Sequence, residues 1–260
     1  MRLQLPASFR PAILFIFLLL PWAAHADALA DFSGGLGDST PNQFAGTAGQ
    51  GWIDGWSSFF SHSPDNFSFE VGKDAAFKDA VNVLKISRKG DEGFARIFRI
   101  LDSPESGPAA PQEVSFQIRV DEFTGSAENP FLITIMGSSQ EFKKSPSPQN
   151  SVWCLVVAER EQSWAIHHGD GIDQLLRLNT KVPLEPGVVY SIKIRTRPDE
   201  QSFQVFIESA TASYESPMLK SPNPSATADL ISFGGWVAQN GPGDFRWSLG
   251  PVAVRHGDPQ

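Results

Sequence analysis

The sequence predicts an all-β fold, a two-sheet antiparallel β-sandwich that follows a cleaved signal peptide. Three observations predict it. Beyond Ala26 the chain is rich in Phe, Gly, Pro and Ser and lacks long helical periodicity. Its apolar residues recur instead at every second position, the period of a strand with one buried face. Turn-rich separators, "DSPESGPAAPQ", "KKSPSPQN", "SPNPSATAD" and "QNGPGD", divide these runs at strand-length intervals. Their Pro, Gly, Ser and Asn break strands and form turns.

The first element is residues 1–26. Arg2 and Arg10 make a basic start, Ala12 to Leu20 is an apolar run, and Ala24-His25-Ala26 is a small-x-small cleavage site. This is the pattern of a secretory signal peptide. A membrane anchor is the alternative, but the run spans only about 14 Å as a helix, against a hydrocarbon core of about 30 Å. Cleavage leaves residues 27–260 as a single β-sandwich domain. The expected localisation is secreted or periplasmic, with no membrane insertion after signal cleavage.

The strands follow in order. "VNVLKISR" (81–88), "ARIFRI" (95–100) and "EVSFQIRVD" (113–121) come first. In the last of these Val114, Phe116, Ile118 and Val120 alternate with Ser115, Gln117 and Arg119. "FLITIMG" (131–137), "VWCLVVAE" (152–159) and "SWAIHHG" (163–169) come next. "VWCLVV" is apolar on both faces, which places it centrally in a sheet. "QLLRLNTKV" (174–182) reads as a short strand or one helical turn. "VVYSIKIRT" and "SFQVFIES" flank the polar turn "RPDEQ" (197–201) and predict an antiparallel hairpin. "DLISFGGWV" (229–237) and "FRWSLGPVAVR" (245–255) close the chain.

Charge and cysteine content bound the partners. The full chain carries a formal charge of −8, and losing two leader arginines makes it more acidic still. Such a surface has little to hold nucleic acid or anionic lipid. Cys154 is the only cysteine, so no internal disulfide forms and stability must come from a packed core. Its apolar surroundings predict a buried, inert thiol.

"GQGWIDGWSSFF" (49–60) sets Trp52 and Trp56 four apart among glycines. Those rings either stack on a sugar or open the fold. The order of pieces favours the second. An early "DFSGG…GQGWIDGW", a late "VPLEPGVVYSIKIRTRPDEQSFQVFIE" and a final "FRWSLGPVAVR" resemble the concanavalin A-like, laminin-G-like jelly rolls of exported bacterial proteins. In that family a glycine-tryptophan opening strand pairs with the closing strand. The resemblance implies that Trp52 and Trp56 fix the first strand against the last. The Asp-Asn of many relatives' closing strands is absent, since Leu249-Gly250-Pro251-Val252 stands there.

Two loops concentrate groups that could bind. "WAIHHGDGID" (164–173) holds Trp164, His168, Asp170 and Asp173. "GGWVAQNGPGDFRW" (234–247) holds Trp236, Asn240 and Asp244 beside Trp247. Indole, amide and acid suit a neutral sugar, which needs hydroxyl partners and an apolar face to stack on. The candidate ligand-binding set is therefore Trp164, His168, Asp170, Trp236, Asn240 and Asp244. Trp164 and Trp236 would supply stacking faces. The structural alternative is a tight hairpin at the first loop and core tryptophans at the second. Asp170 and Asp173 would give a calcium ion only part of its six to eight oxygens.

Catalytic signatures are weaker. A retaining glycosidase needs two carboxyls about 5 Å apart, and no strand carries acids at alternating positions. Asp91-Glu92, Asp121-Glu122 and Asp199-Glu200 read as solvated turn acids. Tyr190 alternates with core residues, which predicts packing rather than a lyase base. No nucleophile or nucleotide motif is present. The expected function is an exported, non-catalytic protein that binds a glycan or another extracellular or envelope surface. The alternatives are a polysaccharide hydrolase or lyase of the same fold, and a structural envelope protein that binds protein.

Overall fold

The computed structural model describes residues 27–40, 42–60, 64–89, 93–102, 110–123, 131–143, 147–158, 162–170, 174–237 and 244–257. The expected signal segment lies outside the described residues. In chain order the strands are β1 (Ala28–Ala30), β2 (Ser57–Phe60), β3 (Phe67–Lys73), β4 (Asn82–Arg88), β5 (Gly93–Ile100), β6 (Gln112–Phe123), β7 (Phe131–Ser138) and β8 (Ser151–Ala158). Then come β9 (Ser163–Gly169), β10 (Leu175–Pro183), β11 (Val189–Arg197), β12 (Ser202–Glu208), β13 (Ser213–Glu215), β14 (Leu219–Lys220), β15 (Leu230–Val237) and β16 (Phe245–His256).

The strands form two layers, and every pairing is antiparallel. One layer runs β2-β5-β15-β7-β8-β9-β10. The other runs β12-β11-β6-β16-β4-β3, with β1 beside β4 on the same edge of β16. The two-residue β14 pairs with β12 and touches β9 at Lys220–Gly169, so it stitches the layers together.

The expected strands are present, with ends that match or shift by at most two residues. Segment 174–182 settles as a strand, because β9 offers it a ladder from Gly169–Leu175 onward. β8 lies between β7 and β9, as its two apolar faces predict. The hairpin β11–β12 pairs Arg197 with Ser202. Its turn ends on Gln201 in the left-handed region at φ 51°. Alternation does not foretell β1 or β3. β1 is short, and β3 is an edge strand whose pattern fades at Gly72-Lys73.

Inner faces of the two layers meet through rings. Phe116 of β6 stands edge-on to Phe233 of β15, with centroids 5.0 Å apart. Trp164 of β9 stands edge-on to Tyr190 of β11 at 5.5 Å. Edge-to-face pairs at this spacing add about 1 kcal/mol each beyond the burial of their area. Trp153, Leu155, Ile135 and Ile192 fill the space between them.

Trp52 and Trp56 belong to this core, so they are structural as the sequence suggests. Their partner differs from the expected one. β1, not the tryptophan segment, pairs with the last strand, as Ala28 with Val254. Trp52 bridges Leu101 instead, and Trp56 packs on Phe32 and Phe233. The glycines exist because this segment passes hard against β1. A Cβ on Gly49, at φ +108°, would sit 1.7 Å from the Leu29 carbonyl oxygen.

Arg99 holds that segment down. It is 3 % exposed. Its Nε donates to Asp54 O at 2.8 Å, and its two terminal nitrogens donate to Ala48 O at 2.8 Å and Thr47 O at 2.9 Å. The guanidinium also lies over the Trp52 ring, 5.3 Å from its centroid. Burial lowers its pKa to about 10, so it stays charged at neutral pH. Arg99→Leu strands three carbonyls and should cost about 3 kcal/mol. For a domain of this size that is a drop in Tm of roughly 6–12 °C. Arg99→Lys should recover less than half of it, because an ammonium cannot reproduce the planar fork. Thermal unfolding followed by circular dichroism checks both.

Candidate functional site

The two loops singled out by sequence do not form one site. β9 and β15 are separated by β7 and β8. The register also puts them at opposite ends of the sandwich. Val237 pairs with Phe131, while Gly169 pairs with Leu175 and Lys220 beyond the other end of β8. The backbone of Trp236 lies in β15 opposite Phe94 and Leu132, and Asp244 directly precedes β16. Asn240 and Asp173 lie outside the described residues, so the calcium pair is described only at Asp170.

Trp164 corrects an expectation. Its side chain is 0 % exposed and packs against Tyr190. On β9 it points inward with Ile166, so neither ring face is open to a sugar. His168 is half-buried, with Nδ1 2.9 Å from the Gly169 carbonyl oxygen. His167 faces the other side, and its buried Nδ1 has no hydrogen-bond partner among the described residues. Burial, then the Arg177 guanidinium and the neighbouring His168 ring, hold its pKa below the usual imidazole value.

The outer face of the β5–β9 layer is also closed where β7, β8 and β9 meet. Met136, Cys154, Val156 and Ala165 form a second apolar cluster there. Burial pushes the Cys154 thiol far up, which fits an inert side chain. Tyr190 is fully engaged: its hydroxyl donates to Pro183 O at 2.7 Å and accepts from Glu185 N at 2.9 Å. One acid pair departs from its expected place. Asp121-Glu122 lies inside β6 rather than in a turn. Asp121 is bound by Arg119 Nε and by Ser248 Oγ. Asp199-Glu200 does occupy a turn, where Glu200 meets Arg197 at 3.1 Å. Asp91-Glu92 lies outside the described residues.

Asp170 is the predicted residue that does reach a cleft. It caps the β9–β10 turn, accepting from Gln174 N at 3.1 Å through Oδ1. Beside it runs the loop 221–225. Ser221 N donates to Gln201 O and Asn223 N donates to Ser151 O, each at 2.9 Å. The loop passes so close to β9 that a Cβ on Gly169 would sit 2.6 Å from Ser221 O. Between hairpin and loop opens a cleft of about 370 Å³. Gln149, Asp170, Gln174, Gln201 and Lys220 supply its polar lining, and Leu175, Pro222 and Pro224 its apolar lining. The side-chain amides of Gln149, Gln174 and Gln201 make no hydrogen bond among the described residues. Three unpaired amides thus border one cleft.

Sequence reasoning missed those glutamines. Gln149 lies in a separator, Gln201 in the polar turn 197–201 and Gln174 at the start of segment 174–182, and nothing in one chain says that these distant places converge. Among the described residues, no group of three His, Cys, Asp or Glu side chains could hold a metal ion. No helix there is long and apolar enough to cross a membrane.

No protein-family model matches the chain, and neither does any curated protein. Solved structures do. A sialidase superposes with a TM-score of 0.53 at 14 % identity over 89 % of this chain, which spans 19 % of the sialidase's length. The catalytic domain of a glycoside hydrolase family 131 protein from Coprinopsis cinerea gives 0.54 at 8 % identity, over 79 % of this chain and 84 % of that one. A carbohydrate esterase from the Shiga toxin-encoding bacteriophage phi24B gives 0.50 at 11 % identity, over 79 % and 92 %. Likeness at such low identity is likeness of fold. The fold is a jelly-roll β-sandwich.

Two outcomes follow from the buried residues. Trp164→Ala should destabilise the protein by about 3–5 kcal/mol, as a large aromatic deleted from a core does, and urea unfolding measures it. His167 titrates near its ordinary value when unfolded but lower when folded. The unfolded chain therefore binds more protons as pH falls below about 6.5, and native stability drops with it. His167→Gln should flatten that acid-side decline between about pH 6.5 and 5. Denaturation midpoints across that range would show it.

Proposed function

We propose that this concanavalin A-like jelly roll is an exported, non-catalytic glycan-binding protein, and that it binds sugar in the cleft between the β9–β10 turn and loop 221–225. The observation that carries this reading is the ring of three unpaired amides, Gln149, Gln174 and Gln201. An amide offers a donor and an acceptor side by side, which matches the vicinal hydroxyls of a neutral sugar. Asp170 adds an acceptor, Lys220 a donor, and the prolines an apolar wall for the ring's C–H face.

Two further points support the reading. Asp170 is the single carboxylate among the described residues of the cleft, whereas glycoside hydrolysis uses a pair. Structural neighbours named as a glycoside hydrolase and a carbohydrate esterase share the fold. Export rests on the leader-like residues 1–26, and the expected compartment is secreted or periplasmic.

Gln174 is exposed and its side chain holds nothing in place. Gln174→Ala should therefore weaken glycan binding about fivefold to tenfold, the worth of roughly one hydrogen bond, with Tm unchanged. Isothermal titration against a panel of neutral oligosaccharides, run beside thermal unfolding, reads both quantities. Unchanged affinity in Gln174→Ala would move the site elsewhere.

A further inference from the structure

Behind loop 221–225 lies a second, smaller cavity of about 60 Å³. Gln201, Asn223 and Pro224 wall both spaces. Gln201 and Pro224 are exposed, so the cavity reaches the surface at the rim of the cleft.

Its floor is Gln112, the first residue of β6, 6 % exposed. The amide nitrogen is engaged: Nε2 donates to Ala228 O at 3.3 Å and lies 3.5 Å from His256 Nε2. His256 Nδ1 is 3.3 Å from Asp27 Oδ2. The amide oxygen is left over. Gln112 Oε1 is buried and has no hydrogen-bond partner among the described residues. A buried acceptor without a donor is destabilising, so a ligand that supplies the donor is favoured there. Leu101, Val152 and Ala226 give the cavity an apolar wall, alongside polar lining from Thr196, Thr227, Asp229 and His256.

A group that fits must present an N–H or O–H and a small apolar end together. A hydroxymethyl group meets the first demand and leaves the apolar wall to water. An acetamido group meets both, with its N–H on Gln112 Oε1 and its methyl against Leu101, Val152 and Ala226. About 10–15 Å³ of such space holds one water, so the cavity has room for a group of this size. We propose that the cavity receives the acetamido group of an N-acetylated sugar whose ring lies in the adjoining cleft. This inference rests on the glycan-binding reading of that cleft.

The test is isothermal titration of the exported chain with N-acetylchitotriose and with cellotriose, which shares the linkage but lacks the acetamido groups. Wild type should bind the acetylated trisaccharide at least tenfold more tightly. Gln112→Leu removes the acceptor at similar volume, and Ala226→Leu fills the cavity from the loop without touching β6. Each should reduce the preference to twofold or less while leaving cellotriose affinity unchanged. Ala226→Leu keeps the test decisive if Gln112→Leu does not fold. Equal binding of the two sugars, with Gln174→Ala weakening both, overturns the cavity assignment and leaves the cleft standing. An acetyl preference that survives Ala226→Leu also overturns it. Binding of neither sugar overturns both readings.

Discussion

The structure depends on the dry contact between two sheets. With one cysteine there is no covalent staple, so the inner faces must hold the layers by packing alone. Phe116 against Phe233 and Trp164 against Tyr190 are the contacts that cross from one layer to the other. The other inward positions of those strands, among them Val114, Ile118, Ile166 and Ile194, are buried in the same core. Part of one outer face is consumed as well, by the Met136–Cys154–Val156–Ala165 cluster. A recognition surface must then be built largely from what the strands connect to. The amide cleft obeys this constraint, since its walls are the 3-10 turn before β8, the β9–β10 turn, the β11–β12 turn and loop 221–225.

The N-terminal segment completes the core rather than decorating it. Trp52, Trp56, Phe32 and Phe44 cover the end of the interior that β5 and β15 leave open. Backbone pairing there is sparse, so Arg99 substitutes for a ladder by collecting three carbonyls on one guanidinium. At the far edge β1 runs along Val252–Val254, and Asp27 accepts a hydrogen bond from His256 N. Asp27 and His256 therefore meet beside the small cavity. Gln112 and His256 are aligned there as register partners of β6 and β16.

Legibility in the sequence tracked burial. Strands with one full buried face, such as β6, β11 and β12, announce themselves by alternation. β8 does so by being apolar throughout. Edge and two- or three-residue strands (β1, β3, β13, β14) carry too few inward residues to show a period. Trp164 looked like a binding residue because indole is common to sugar sites and cores alike. Only its position on the inward parity of β9 separates the two, and that parity depends on which face of the sheet is covered. The glutamines were illegible for a different reason. Gln149, Gln174 and Gln201 are far apart in sequence, and their convergence is a property of topology rather than of any local pattern.

On the proposed glycan-binding reading, the chemistry of the cleft sets what kind of binder this is. Among the described residues no aromatic ring lines it, so a sugar gains hydrogen bonds there without the large apolar area that a stacked indole would bury. Each such bond is worth only about 1 kcal/mol net of water, and ordering the sugar consumes part of it. What raises the yield is stiffness already present. Pro222 and Pro224 fix two φ angles in the loop, and Asn223 between them donates its backbone N–H to Ser151 O. The loop thus has little freedom left to lose when a ligand arrives. A single cleft of this kind suits weak, readily reversible contact. Tight attachment to a polymeric glycan would come from repeated engagement along the polymer, where each further contact is intramolecular.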